Sequence, residues 1–377
     1  MDVSVLHVPD ELDALLPEWT ALYEASGSRN PFADPRWLTV WARHYAGDAK
    51  LETIVARDRG ELVGVAPFYR GSGRLDRWRL LGSVDRRQLN ELPQLLVRAD
   101  CTRDALRAIF HELVRRGGEF DWLNFVLAPE QGWTQPEWFD LEGSSCFSVH
   151  RGTRPCVVLP LPGSWEDFRA GLKRNVKESI RRSTNRVTRE GHTFELTDAY
   201  ESVDELRAAL AELRRLHAAR AKIEGTIAHP DYFAGGANVD FLDDVAERTF
   251  GAGLVRPALL RIDGEAVAAR LVLRGNGALF FSISGFDPAW WDYGPLTLLD
   301  AETLRAAIER GDTYANLSIG PDTSKLRWSE RLELHQDFVL VGNRARARRL
   351  FSAWAAASAL RDVDEGRRRA RSRRAAK

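Results

Sequence analysis

An Asp-Tyr-Gly-Pro stretch, Asp292 to Pro295, runs into Leu296 and Thr297 and opens an apolar, helix-patterned segment. A loop entering a helix this way offers orphan N–H groups and the positive end of the helix dipole, roughly half a charge, to an anion. Gly294 permits close backbone approach, Pro295 suits a first helical turn, and Thr297 adds a hydroxyl. Read alone, the pattern favours a plain loop-to-helix junction over an anion cradle. A second feature is the segment from Ser164 to Gly191, read as one long helix. Phe168, Leu172, Val176 and Ile180 fall at steps of four and form its buried stripe. Its other faces carry Lys173, Arg174, Lys177, Arg181, Arg182, Arg186 and Arg189; the first five could hold a carboxylate or phosphate, against a default of a solvated face. His217 follows a leucine on an apolar-striped helix and reads as structural, as does His335. The chain has no CxxC, HExxH, GxSxG or GxxxxGK[ST], and no GxGxxG following a strand, so metalloprotease, hydrolase-triad, P-loop and dinucleotide chemistries lack support.

The 377 residues are 44% hydrophobic, enough for a sizeable core and against a disordered chain. The formal charge is zero but unevenly spread: residues 344–377 carry a net of +9, leaving −9 on the rest. A basic tail on an acidic body is either solvated or engages an anion, a partner or the body itself. Cys101, Cys146 and Cys156 lack metal-ligand spacing and suit a reducing compartment. The N-terminal MDVSVLHVPDELD has no apolar h-region, and no apolar run approaches the ~20 residues of a bilayer span, so a cytoplasmic location is expected.

These features need a scaffold. Leu12–Ala25 reads as a helix, and Asp34-Pro35 caps and opens another through Tyr45. Leu51–Arg57 and Leu62–Phe68 alternate as strands around a Gly60 turn; Trp78–Leu81 is a third strand, Thr102–Gly117 a helix and Trp122–Leu127 a strand. The stretch 129–162, rich in Gly, Pro and Ser, reads as the connection between halves. Further on come a strand at Phe194–Leu196, a helix at Val203–Arg220 and a helix ending near Phe250. Two strands around Asp263-Gly264, a third at Ala278–Ser284, a helix at Leu296–Glu309 and a strand at Thr313–Ile319 follow. Leu334–Val341 is the last strand, before a basic, Ala-rich helix.

Two stretches share this plan. LETIVARDRGELVGVAPFYRGSGRLDRWRLLGS, from Leu51, and VRPALLRIDGEAVAARLVLRGNGALFFSISGF, from Val255, each read strand, Gly-Glu turn, strand, Gly-containing turn, strand. A helix and a strand follow each. The shared order of five elements favours an internal duplication over two chance hairpins.

The pieces PFADPRWLTVWARHY, GELVGVAPFYR, LKRNVKESIRRSTNRVTREG, DGEAVAARLVL, SGFDPAWWDYGPLTLLDAETLRAA and YANLSIGPDTSKLRW, in this order, carry a family resemblance over nearly the whole chain. The sequence resembles the CelD/BcsL type of the GNAT acyltransferase superfamily, whose plan is like that of the FemAB peptidyltransferases. It departs from that pattern with Tyr293-Gly294-Pro295 in place of Ser-Pro-Gly and Ser324-Lys325 in place of Tyr-Lys.

The resemblance implies an α+β fold of two GNAT-like halves, each a mixed, mostly antiparallel sheet flanked by helices. It implies a degenerate N-terminal unit at 1–160, a C-terminal unit with the active site at 161–343, and the basic tail at 344–377. The strands at Ala278–Ser284 and Thr313–Ile319 should splay, so that Ser282, Ile283 and Ser284 meet the pantetheine arm and thioester of an acyl-CoA. Tyr293, Gly294, Pro295, Leu296 and Thr297 should then receive its pyrophosphate. Amide formation requires a base and oxyanion stabilisation. Asp287 and Asp322 are the candidate bases, each equally readable as a turn former. Lys173, Arg174, Lys177, Arg181 and Lys325 are candidate substrate-binding cations. No metal is implied. The donor is acetyl-CoA, another acyl-CoA or an acyl carrier protein, and the acceptor a small-molecule amine. The alternatives are a FemAB-like enzyme using aminoacyl-tRNA, whose backbone the basic tail would contact, and an inactive GNAT-like binding scaffold.

Overall fold

The computed structural model describes residues 1–71, 73–83, 89–131, 146–224 and 229–359. The first half opens with strand β1 (Asp2–Leu6), helix α1 (Pro9–Ala25) and helix α2 (Pro35–Trp41). Asp34 caps α2 by accepting from the Arg36 N–H at 2.8 Å, and Pro35 occupies the first turn. Strands β2 (Lys50–Asp58) and β3 (Glu61–Arg70) form a hairpin, followed by β4 (Arg77–Leu80), the two-residue β5 (Leu96–Val97), helix α3 (Thr102–Arg115) and β6 (Trp122–Leu127).

The second half repeats the scheme. Strands β9 (Val255–Ile262), β10 (Glu265–Gly275) and β11 (Ala278–Phe286) precede helix α8 (Pro295–Glu309) and β12 (Tyr314–Ile319). Both hairpins turn through a residue at φ +49 followed by glycine, Arg59-Gly60 and Asp263-Gly264. Successive positive φ values mark the tight turn that matches strand twist. Each half contains one parallel pair in the same place: β4 with β6, and β11 with β12. The repeat seen in the sequence is therefore a repeat of topology.

The strands form one sheet in the order β1-β2-β3-β4-β6-β13-β7-β12-β11-β10-β9-β8, with β5 beside β3. Here β7 is Phe147–Pro160, β8 Phe194–Thr197 and β13 Leu332–Val341. The sequence reading of 129–162 as a connection is corrected at this point. Its second part is a 14-residue strand at the centre of the sheet, paired with β12 on one side and β13 on the other. Gly152 and Pro155 disguised it. Gly152 pairs with Asp337 at a register break, and His150 pairs with Phe338, so that Arg151 is the extra residue of a bulge beside the glycine. Residues 132–145 of that stretch lie outside the described residues.

The helix expected at 164–191 is two helices, α4 (Trp165–Gly171) and α5 (Arg174–Arg189). Leu172 and Lys173 are extended between them, at ψ 148 and 147. Gly171, a poor helix former, closes the first. Phe168, Leu172 and Val176 are buried as the stripe required, and Ile180 is half-buried. Helices α6 (Val203–Ala221) and α7 (Ala237–Arg248) cover the opposite face of the sheet.

One hydrophobic cluster joins the halves. It contains Trp19, Phe32 and Trp37 from the first and Leu213, Phe241 and Phe280 from the second. Phe32 meets Phe280 edge-on at 4.8 Å, and Trp37 meets Phe241 at 4.9 Å. Such pairs add about 0.5–1.5 kcal/mol beyond area burial and hold parts of the first half against the second.

Candidate active site

Strands β11 and β12 pair at only three positions, Ala278–Phe280 with Tyr314–Asn316. Beyond them β11 stays on β10 and β12 stays on β7, so the sheet opens between them. Both lips are irregular. Arg270 pairs with Ser284 while Val272 pairs with Phe281, so Leu271 stands opposite both Ser282 and Ile283. On β12 the register shifts between Asn316 and Ile319, and Ser318 takes φ +78. Bulges re-aim backbone and side-chain groups and concentrate beside active sites, and non-glycine residues at such φ values are uncommon.

Helix α8 begins at the mouth of this opening. Gly294, at φ +62, is its N-terminal cap. A Cβ added there would lie 2.6 Å from the Ser183 hydroxyl of α5. Two cavities meet at this helix end. One, of about 340 Å³, is mostly apolar and is lined by Ile223, Phe286, Trp291, Pro295 and Leu296, with Arg220 and His229 at its polar side. The other, of about 620 Å³, is lined by Arg181, Arg182, Arg186 and Arg189 of α5 and by Trp291 and Asp292. Gly294, Trp291 and Thr297 border both. Trp291 is 54% exposed, unusual for so large an aromatic.

The cations are spread differently from the sequence reading. Arg181 reaches the larger cavity beside Arg182, Arg186 and Arg189. Lys173 instead donates to the Leu326 carbonyl at 3.0 Å and pairs with Glu330. Lys177 donates to the Ala170 carbonyl at 2.7 Å. These bonds splice α5 to α4 and to the segment after β12. Arg174 opens α5 and is exposed. Arg186 donates to the Asp292 carbonyl at 3.0 Å and lies over the Tyr293 ring at 4.9 Å. The Tyr293 hydroxyl donates to Glu190.

A further basic group sits behind the β11 lip. Arg270 grips Asp300 of α8 through two hydrogen bonds, at 2.7 and 3.2 Å, and donates to the Ser282 carbonyl at 3.1 Å. Arg220 donates to the Ser284 hydroxyl at 2.7 Å and carbonyl at 3.3 Å. Arg327 donates to the Thr297 hydroxyl at 2.8 Å. Ile283 packs partly buried against the inter-half cluster. His217 Nδ1 faces the Ser284 carbonyl at 2.9 Å, and its Nε2 receives the Tyr232 N–H at 3.3 Å. With both nitrogens engaged by backbone, His217 is structural. His335 is buried with no hydrogen-bond partner among the described residues, and burial lowers its pKa to about 4.

Asp287 and Asp322 are both helix caps. Asp287 accepts from the Ala289 N–H at 2.9 Å, opening the short helical turn Pro288–Tyr293. Asp322 accepts from the Lys325 N–H at 3.1 Å and from the Ser324 hydroxyl, opening α9 (Thr323–Leu326). Partial burial works against the Asp322 charge, but Ser324 and Lys325 outweigh it and hold the carboxyl below its ordinary range. Lys325 itself donates to the carbonyls of Ile319, at 2.6 Å, and Gly320, at 3.2 Å.

Sequence reasoning missed the carboxylate that does lie in the gap. Glu91, from the first half, accepts from the Ser282 hydroxyl on β11 at 3.1 Å, from the Ser318 hydroxyl on β12, and from the Ile319 N–H at 3.4 Å. Burial pushes its pKa up against the pull of those bonds and of Lys325. Nearby, burial pushes the Cys156 thiol up to about 12, which leaves it a poor nucleophile at neutral pH. Among the described residues no group of three His, Cys, Asp or Glu could hold a metal, and no helix is long and apolar enough to cross a membrane.

Residues 174–326 match the acetyltransferase (GNAT) domain family model. No curated protein matches the chain. Among solved structures, FemX superposes with a TM-score of 0.58 over 89% of this chain and 97% of its own, at 12% identity. A conserved protein of unknown function from Bacteroides thetaiotaomicron does so with a TM-score of 0.56 over 90% and 100%, at 14% identity. At these identities the likeness is one of fold. Residues 174–326 are similar to the GNAT domain family, and the fold is a double-GNAT plan like that of FemX.

Proposed function

We propose that this chain is an N-acyltransferase that moves an acyl group from a CoA thioester to a small-molecule amine by direct attack, in the manner of the CelD/BcsL proteins it resembles. The observation that carries the reading is the parting of β11 and β12 after three paired positions, beside the N-terminus of α8. The unpaired edges can hydrogen-bond a pantetheine arm, and backbone donors at the bulge can stabilise the oxyanion. The CoA phosphates have a fitting cradle. In the first turn of α8 Pro295 has no N–H, and Thr297 and Leu298 donate to the Gly294 carbonyl at 2.9 and 3.3 Å, which leaves the Leu296 N–H to meet an anion. The Ser183 hydroxyl stands where a Gly294 Cβ would crowd it, and Arg181, Arg182, Arg186 and Arg189 line the adjoining cavity. The apolar cavity past Phe286 and Leu296 suits an acyl or pantetheine chain. In this reading residues 161–343 form the catalytic unit, 1–160 the supporting unit, and the free cysteines suit the cytoplasm.

A thermal-shift screen tests it. At a concentration of about 100 Kd, a bound donor adds about 2.7 kcal/mol of stability by mass action. CoA or acetyl-CoA is expected to raise Tm, and Gly294→Asp, which brings a negative charge into the cradle, to abolish the rise. No shift with CoA, acetyl-CoA or longer acyl-CoAs would contradict the reading.

The four-arginine face supports a second reading, in which the donor is an aminoacyl-tRNA. Residues 344–377 would then add backbone contacts, their net +9 making affinity fall steeply with salt. Deleting 344–377 would remove most tRNA binding in a gel-shift assay, and CoA would give no thermal shift. An acyl carrier protein as donor is separated from both by adding its thioester to the same screen.

A further inference from the structure

The acyltransferase reading leaves the base unassigned, since both aspartates after the splayed strands cap helices. We propose that Glu91, supplied by the first half of the chain, is the general base of the second half's active site. The proposal rests on the acyltransferase reading above.

Its geometry is specific. Glu91 touches both lips of the gap: Ser282 at the β11 bulge, and Ser318 and Ile319 at the β12 irregularity. It therefore sits where the strands part, beside the place a thioester carbonyl would occupy. Glu91 is a half-buried residue whose carboxylate faces the gap between the two strands. The first half locks the segment that carries it. Asn30 donates to the Leu92 carbonyl at 2.8 Å and to Gln94 at 2.9 Å, and the Trp37 indole donates to Asn90 at 2.9 Å. Asn90 in turn donates to the Gly82 carbonyl at 2.6 Å, and Arg154 of β7 donates to the Glu91 carbonyl at 3.2 Å. The charged and titratable groups facing it are Lys325 from α9 and Cys156 from β7, with Arg154 on its backbone side. Burial raises the Glu91 pKa toward the working range of a base.

The step balances without a metal or redox partner. The amine lone pair forms the C–N bond to the acyl carbon, and the Glu91 carboxylate takes the proton the nitrogen sheds. The C–S bond breaks, its electron pair leaves on the CoA sulfur, and that thiolate takes the proton back from Glu91. The products are an amide and the CoA thiol, with Glu91 again a carboxylate.

The experiment compares Glu91→Gln with the wild-type chain. Thiol release from acetyl-CoA is followed with hydroxylamine, an amino acid, an amino sugar and a polyamine as acceptors. Expected is a fall in kcat of about 10²–10⁴-fold, with the acetyl-CoA Kd unchanged within about twofold. The acid limb of the wild-type pH profile, lying above the ordinary carboxylate range, should vanish in the variant. A raised folded pKa also destabilises the fold as pH rises through it, so Glu91→Gln should keep or raise Tm at pH 8. A variant within about threefold of wild type at every pH overturns the proposal. So does a variant that loses Tm and acetyl-CoA affinity together, because Glu91 is then a pin between the halves. Failure of the wild-type chain to bind acetyl-CoA is a different result and removes the acyltransferase reading itself.

Discussion

Gly285→Ala is expected to destabilise the protein by about 3 kcal/mol or more, at the upper end of overpacking effects. Gly285 lies on β11 directly under α6, and a methyl group there would fall within the backbone of Leu216 and His217. Those are main-chain atoms of a helix, so rotamer changes cannot relieve the clash; α6 must move away from the strand. The same contact brings His217 and Arg220 onto Ser284. Any variant that still folds should therefore also lose donor affinity through the displaced lip of the gap. Gly163→Ala is the control, since a Cβ there meets nothing within 4 Å and the φ is ordinary; it should change stability by no more than about 0.5 kcal/mol. Urea unfolding of the three proteins checks both statements, and equal stabilities would show that α6 does not sit this close.

Asp300→Ala should cost about 3–5 kcal/mol, the usual penalty for removing one partner of a buried ion pair. Asp300 is the carboxylate gripped by Arg270, each side chain 15% exposed. Its removal takes away the carboxylate that Arg270, Arg327 and Arg220 share. Arg270 also holds the Ser282 carbonyl, so the bulge should loosen along with the fold. Chemical denaturation measures the loss. Asp300→Asn keeps one acceptor and should fall between wild type and alanine.

Local pattern made most elements legible. β6 runs from Trp122 to Leu127 as expected, and the two glycine turns at Gly60 and Gly264 fixed the hairpins. The repeat of five elements carried the architecture, because each copy independently shows the same alternation and turn chemistry. Strand β7 was hidden because its Gly152 and Pro155 look like breakers until the bulge beside β13 is seen. The break at Leu172–Lys173 was hidden because both residues continue the apolar and basic periodicity of the flanking helices.

The loop-to-helix junction at Gly294 was legible as loop chemistry, and Arg186 and Arg189, at helical spacing with Arg182, could have been singled out with it as one face of α5. Glu91 could not be found this way. Its partners lie 191, 227 and 228 residues away, and nothing around it in sequence marks a carboxylate as functional. Asp287 and Asp322 were visible for the opposite reason, since Asp-Pro and Pro-Asp are strong local signals, and in the structure they form caps.

Amide hydrogen exchange with and without acetyl-CoA tests the central claim most directly. If the opening between β11 and β12 grips the donor while α8 receives its phosphates, added acetyl-CoA will slow exchange in peptides covering 282–286, 294–298 and 317–320. Peptides of the equivalent first-half strands, 77–80 and 122–127, will be unaffected. Protection confined to the first half, or to residues 345–359, which are helical, with 282–298 unchanged, would contradict it.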